Sequence, residues 1–449
     1  MLVVFIVAYI FIALEHKVGI DKAAIALFAG GILWVLYIFL SPLTVATVFP
    51  IHFQEFLKDN PNIALLPFLE QCKSYIVDVH ILESLGGISE TLFFLMGAMT
   101  IVELVDVHGG FYIITDRITT KNKKLLLVII SFITFFISAT LDNLTTSIVM
   151  VMMLRKIVPN YKERWIYGSM IIIAANSGGA WSPIGDVTTI MLWLKGKVTT
   201  LPLITNLFIP GLVSMVVPML LATRMLKGTI TEKTHKLAQG HISTILSERE
   251  RATLSIIGVG SLILVPVFKQ LTHLPPFVGV LLGLSILWIY TEIIYSSKKT
   301  NESFKHRVTR VLKRIDTATI MFFLGILLAI NALEGTGILN TMGAFLEAKV
   351  HNTYLINLSI GLLSAVVDNV PLVAVAMGMF PMADGSFWLF LAYCAGVGGS
   401  LLIIGSAAGV VVMGIERIPF MWYLKNFSLL ALAGYLAGGG LFILMDLFL

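Results

Sequence analysis

Charge is scarce in this sequence. Asp, Glu, Lys and Arg make up 13% of its 449 residues, where a soluble domain carries about a quarter. That shortage excludes an ordinary soluble protein. Cysteine is nearly absent: Cys72 and Cys394 are the only two, too few for a disulfide framework and not in a metal-type spacing. The nine histidines form no His-x-x-x-His pair and no Cys-x-x-Cys occurs, so neither a bound transition metal nor any other cofactor is expected. His-Glu-x-x-His and Gly-x-Ser-x-Gly are missing too, which removes two common hydrolase signatures.

What the chain has is apolar length. Hydrophobic residues reach 57% and the mean hydropathy is +0.92. Runs long enough to cross a hydrocarbon core of about 30 Å recur at 23–40, 203–222, 252–268, 277–295, 318–333 and 429–444. The shorter apolar run 1–14 lacks a basic start and a small-residue cleavage site, and is expected to be a first span or part of one. The fold class expected is an all-α polytopic membrane protein in a lipid bilayer. The net charge of +5 comes from basic residues in the loops between these runs, so nucleic acid is not an expected partner.

An internal repeat is visible. Thr91-Leu-Phe-Phe-Leu-Met-Gly97 resembles Thr319-Ile-Met-Phe-Phe-Leu-Gly325, and the same offset relates Gly109 to Gly337 and Asp106 to Glu334. Asp142-Asn143 then matches Asp368-Asn369, Gly178-Gly179 matches Gly398-Gly399, and Gly185 matches Gly405. Charge gives the orientation. The stretches 117–124 and 155–164 each hold four Lys/Arg, and a single crossing between them would put two basic loops on opposite sides, against the positive-inside rule. A re-entrant hairpin over 125–154 with Asp142-Asn143 at its tip avoids this. The matching hairpin, 354–380, is poor in basic flanks and is expected to enter from the other side.

The expected layout is therefore two inverted repeats. N-terminal spans and an external segment cover 1–84. Repeat 1 covers 85–224, with the hairpin, a broken helix at 165–194 and a closing span at 203–224. A cytoplasmic linker (225–251), two scaffold spans (252–296) and a basic cytoplasmic loop (297–316) follow. Repeat 2 covers 317–449, with its hairpin, a broken helix at 387–415 and a closing span at 423–447. Inverted repeats that meet at discontinuous helices are a transporter architecture.

Polar residues inside apolar spans are costly and point to function. In Ser138–Ser147 seven of ten side chains carry oxygen, among them Asp142, Asn143 and Thr145. A bare alkali cation needs several oxygens, at least one of them anionic. Asn176–Thr189 contains three glycines and Pro183, which break a helix, and it adds Asn176, Ser177, Asp186, Thr188 and Thr189. The second half supplies Ser364, Asp368, Asn369, Ser400 and Ser406. Sodium is expected at Asp142, Asn143, Asp186, Asp368 and Asn369, in competition with protons for the carboxylates. Glu90, Glu103 and His108, near span ends, are candidates for a pH response, although interfacial snorkelling or ion pairing explains them as well.

These strings resemble a known family. Glu90-Thr-Leu-Phe-Phe-Leu-Met-Gly-Ala-Met-Thr-Ile-Val-Glu103, Thr140-Leu-Asp-Asn-Leu-Thr-Thr146, Asn176-Ser-Gly-Gly-Ala-Trp-Ser-Pro-Ile-Gly-Asp-Val-Thr-Thr189 and Val367-Asp-Asn-Val-Pro371 are together similar to the NhaD-type bacterial sodium/proton antiporters of the ion transporter superfamily. The resemblance implies exchange of sodium, and also lithium, for protons by alternating access in a bacterial inner membrane. It implies a homodimer with a scaffold and a moving transport part. The family's functional positions fall on Asp142, Asn143, Asn176, Asp186, Thr188, Thr189, Ser364, Asp368 and Asn369, with Ser400 and Ser406 aligned alongside. The alternative is a sodium-coupled carboxylate symporter of the same superfamily, whose hairpin tips carry neutral residues where this chain has Asp-Asn. An intramembrane aspartyl protease would also need paired aspartates, but has no need of two glycine-rich breaks, and the chain is expected not to be an enzyme.

Overall fold

The computed structural model describes residues 1–13, 18–109, 120–230, 246–298, 308–366, 369–381 and 385–448. The predicted site residue Asp368 lies outside the described residues, as do parts of the basic loops at 117–124, 224–251 and 298–314. Among the described residues the regular structure is helical, with one isolated antiparallel bridge between Asn122 and Thr229.

The helices run in order α1 (Leu2–Ala13), α2 (Lys22–Val48), α3 (Pro50–Asp59) and α4 (Phe68–Tyr75). A π-turn over Ile76–His80 joins α4 to α5 (Ile81–Val107). Next come α6 (Lys123–Leu141), α7 (Asn143–Ile157), α8 (Tyr161–Gly179), α9 (Val187–Leu194) and α10 (Thr200–Ala222). They are followed by α11 (Glu248–Thr272), α12 (Pro276–Lys298), α13 (Thr317–Glu334) and α14 (Ile338–Val350). The last are α15 (Thr353–Ser364), α16 (Asn369–Met379), α17 (Gly385–Gly398), α18 (Ala407–Glu416), α19 (Phe420–Asn426) and α20 (Ser428–Phe448). Eight helical segments among the described residues are long and apolar enough to cross a membrane, which makes this an all-α polytopic membrane protein. The boundary expected at 84/85 falls inside one continuous helical run, Phe68–Val107.

Local chemistry sets the ends. Asn122, Asp142, Asn160, Asp186 and Ser406 each place a side-chain oxygen on an N–H in the first turn of the helix that follows, satisfying donors that a helix start leaves open. Gly109 and Gly337, the pair related by the repeat, both have φ of 72°, a left-handed turn that glycine makes at no steric cost. Pro419 precedes α19, which is bent 115° from α18.

The chain divides into two compact units. The first comprises 1–93, 316–353 and 371–383. Within it α2 and α13 pack with almost no side chain between them. A Cβ on Gly30 would lie 2.8 Å from the Gly325 carbonyl oxygen, and one on Gly325 would meet the backbone of Ala26 and Leu27. Trp34 Nε1 donates to Leu328 O at 3.0 Å across the same contact.

The second unit comprises 94–315, 354–370 and 384–449 and holds the breaks. Here α6 and α7 fold back on each other. Lys123, at the start of α6, pairs with Glu163 of α8 at 2.7 Å, and Tyr167 donates to Lys123 O at 2.8 Å. So the start of α6 and the start of α8 sit together. In the second half Asn357 of α15 donates to Phe387 O of α17 at 3.0 Å, which joins the corresponding helix starts. The broken pair α8–α9 runs opposite to α17–α18. Arg164 near the start of α8 meets Glu416 at the end of α18. Asn176 meets Ser400 and Ser406 at the breaks, and Lys197 after α9 lies over Trp388 near the start of α17. Glycines also bring α6 close to α8, α15 close to α17 and α10 close to α20. A Cβ on Gly178 would strike the Phe135 carbonyl, one on Gly398 the Gly361 carbonyl, and one on Gly434 the Ser214 carbonyl.

Candidate functional site: a buried carboxylate at converging helix breaks

The second unit's core contains one polar cluster built around Asp186, which is 1% exposed. Asp186 stands in extended backbone just before α9, and its Oδ1 takes bonds from Thr188 N at 2.8 Å and Thr188 Oγ1 at 2.9 Å. Thr189 Oγ1 donates to the Asp186 carbonyl at 2.8 Å. Two amides come from the first residues of α7 and α16. Asn143 Nδ2 lies 2.7 Å from Oδ2, and Asn369 Nδ2 lies 3.3 Å from Oδ2 and 3.4 Å from Oδ1.

Asn176 extends the cluster. Its Oδ1 accepts from Asn143 at 3.0 Å, and its Nδ2 donates to Ser400 Oγ and Ser406 Oγ, each at 2.9 Å. Asn143, Asn176, Asp186, Thr188, Thr189, Asn369, Ser400 and Ser406 thus form one buried network, although Asn369 and Asp186 are separated by 183 residues. The named donors to the Asp186 carboxylate are neutral. Neutral donors solvate a carboxylate without cancelling its charge, whereas a proton or an alkali cation cancels it.

Asp142 is placed differently. It caps α7: Oδ1 accepts from Thr145 N and Oδ2 from Thr145 Oγ1, both at 2.8 Å. Its backbone has φ 69° and ψ 156°, a region close to glycine-only that costs about 1–3 kcal/mol. Asp142 and Thr145 therefore hold the turn between α6 and α7, while Asn143 next door reaches Asp186. Ser177 is buried but engages α10 through Ser214 at 2.9 Å. Ser364 donates to Ala395 O at 2.9 Å, bracing α15 against α17.

The three residues expected to respond to pH also stay outside the network. Glu90 is half-buried in α5, in the first unit. Glu103 lies 3.8 Å from Arg314, and His108 sets Nδ1 2.6 Å from Leu104 O one turn back.

Sequence reading missed Ser138 and Tyr423. Ser138 donates to Ala175 O at 2.6 Å, the mate of the Ser364 bond, and it sits at the same offset from Ser364 as Asp142 does from Asp368. That offset was an available signal. Tyr423 donates to Ser400 O at 2.6 Å, and nothing in its local pattern marks it.

An oxygen-rich cluster at helix breaks, enclosed in an all-helical membrane protein, is the build of a transporter. The family model described as "Citrate transporter" matches residues 1–396. Curated relatives include Sodium/proton antiporter 2 of Arabidopsis thaliana, 39% identical over 98% of this chain and 97% of its own length. Sodium/proton antiporter 1 of the same plant is 48% identical over 78% of this chain, a match that spans 61% of that relative. The Na(+)/H(+) antiporter NhaD of Vibrio cholerae is 28% identical over 99% of this chain and 91% of its own length. The chain belongs to the citrate-transporter family of the ion transporter superfamily, together with these antiporter relatives. Its members here are transporters and not enzymes.

Proposed function

We propose that this protein exchanges sodium, and also lithium, for protons, with both ions competing for the carboxylate of Asp186. The observation that carries the proposal is the meeting of Asn143 and Asn369, from two hairpin tips, on one buried acid. A cation entering there finds the carboxylate of Asp186, amide oxygens within a rotation of Asn143 and Asn369, and the carbonyls freed where α8 gives way to α9. A proton on the same carboxylate removes the charge that holds the cation. Asp142 and Asp368 belong to the proposed set as the acids of the two tips.

Inverted repeats and alternating access form part of the same proposal. The opposite course of α8–α9 and α17–α18, the joined starts of α6 and α8, and the paired serine bonds of Ser138 and Ser364 support them. So does length: Asn143 is twelve residues from Arg155 on α7, about 18 Å of helix at 1.5 Å per residue, which carries the chain roughly half-way into a bilayer from the basic loop. The resemblance also supports a homodimer and a bacterial inner membrane. The antiporter names of the relatives, in a plant as well as in bacteria, support the ion pair.

The test is sodium-induced dequenching of a pH-sensitive dye in everted vesicles, comparing the parent with Asp142→Asn, Asp186→Asn and Asp368→Asn. The parent should respond, and at least two of the three variants, Asp186→Asn among them, should lose the response while inserting normally. Parent-like exchange in all three would end the competition model.

One observation favours a second reading, sodium-coupled carboxylate uptake, namely the family description itself. An anion would have to approach the Asp186 carboxylate, and like charges at close range repel strongly in a low-dielectric site. Uptake of labelled citrate driven by a sodium gradient, in vesicles that show no sodium-dependent proton movement, would select that reading.

A further inference from the structure

Among the described residues two carboxylates are buried, Asp186 and Glu416. The proposed exchange uses only the first. Glu416 closes α18 with its side chain 0% exposed, between Arg155 Nε at 2.8 Å from Oε1 and Arg164 Nε at 2.7 Å from Oε2. Arg155 also donates to Ile415 O. Arg164 Nη1 donates to Val158 O at 3.1 Å and to Pro159 O at 2.9 Å. Trp165 Nε1 reaches the Glu416 carbonyl at 3.1 Å. One acid thus gathers the end of α7, the start of α8 and the end of α18.

The other ends of those three helices carry the site. α7 starts with Asn143, α8 reaches Asn176 before its break, and α18 is capped by Ser406. From the ion cluster to the site is about 18 Å along α7 and α8 and about 15 Å along α18, at 1.5 Å per residue. Helices packed against one another at close range transmit an axial shift along their length. The site bonds that join them measure 3.0 Å between Asn143 and Asn176 and 2.9 Å between Asn176 and Ser406; a slip of a fraction of a turn in α7 or α18 breaks one of them, and a slip in α8 breaks both. A buried ion cluster is a poor choice for stability, since apolar residues of the same volume do as well or better. Its best-attested use is to fix register.

We propose that Glu416, with Arg155 and Arg164, is a positioning cluster: it sets the register of α7, α8 and α18 and so the geometry of the cation site at their far ends. This rests on the exchange reading above, in that the site positioned is the one that binds the exchanged cation.

Two readouts test it in proteoliposomes holding the full chain. The first is sodium-dependent exchange in Glu416→Gln and in Arg155→Gln, whose parent side chain is 44% exposed, so that its loss leaves Glu416 paired with Arg164. Positioning predicts that Glu416→Gln raises the sodium KM at least tenfold and Arg155→Gln about threefold, with the maximal rate per inserted molecule held within a factor of two. Glu416→Asp should recover part of the loss. A merely structural role would lower the amount of active protein and leave the KM of the remainder unchanged, and that result overturns the proposal. The second readout needs no transport: Asn176→Cys with Ser406→Cys, in a background with Cys72 and Cys394 replaced, reports register as cross-linking yield. Adding Glu416→Gln, or Arg155→Gln if the first variant fails to insert, should cut that yield several-fold. An unchanged yield overturns the positioning role. A reduced yield in a protein whose parent shows no exchange leaves positioning standing and removes the exchange reading instead.

Discussion

Asn143 gives one amide group to two partners, Asn176 at 3.0 Å and Asp186 at 2.7 Å, and so ties the start of α7 to the break between α8 and α9. Asn369, at the start of α16, reaches the same acid through longer bonds. Asn143→Ala should therefore weaken sodium exchange more than Asn369→Ala does. We expect the sodium KM to rise at least tenfold for the first and about three- to tenfold for the second, since a charge-assisted bond contributes about 1.5–3 kcal/mol and a long one less. Dye dequenching against sodium concentration measures both, and equal effects would contradict the ranking.

Competition has a definite pH signature. If one proton and the cation exclude each other at Asp186, protons lower the cation's apparent affinity and leave the maximal rate reachable at high sodium. In the range where the acid is protonated when empty, the sodium KM should rise up to tenfold for each unit of falling pH. A KM independent of pH from 6 to 9, together with a maximal rate that falls, would show that protons act elsewhere.

Asp142 separates two roles that share one residue. Its carboxylate caps α7 while its backbone holds φ at 69°. Asp142→Gly relieves the backbone strain, of about 1–3 kcal/mol, and gives up part of a cap worth about 1 kcal/mol. The melting temperature should stay within a few degrees of the parent's. Exchange by this variant then reports on the carboxylate alone. Full activity would assign Asp142 to holding the tip, and lost activity would add it to the ion site.

Close packing at the breaks can be tested by single methyl groups. Gly178→Ala and Gly398→Ala would each push a Cβ into a backbone carbonyl, of Phe135 and Gly361 respectively. Backbone cannot move aside as a side-chain tip does, so each should destabilise by about 1–3 kcal/mol or more, seen as a lower melting temperature in detergent. Gly414→Ala, where the added Cβ meets nothing within 4 Å, is the control and should be neutral.

Much of this was legible in the chain. Long apolar runs can only be helices in a bilayer, because each backbone group must find its partner within its own segment. Asp142-Asn143 and the glycine-rich strings around Gly178 and Gly398 stand where helices end, since a polar cap and residues without a Cβ are what a break requires. Ser138 is marked in the sequence only by the repeat offset that relates it to Ser364. Arg155 and Arg164 read as charges of a basic loop and Glu416 carries no local signal, because nothing in their neighbourhoods shows that they meet across more than 250 residues.

The sequence by itself determined that the chain is a membrane protein of helices broken at matching places, because hydropathy, glycine and caps act over a few residues at a time. Which acid stands at the centre was a tertiary decision. An aspartate at a helix start can turn back to its own helix, as Asp142 does, or do so and also receive amides from elsewhere, as Asp186 does, and the local pattern is the same for both. Only tertiary packing brings Asn143, at the start of α7, and Asn369, at the start of α16, to Asp186, and Asn176 to Ser400 and Ser406. That packing depends on which backbones can approach one another, a property of the folded surfaces and not of any short stretch of sequence.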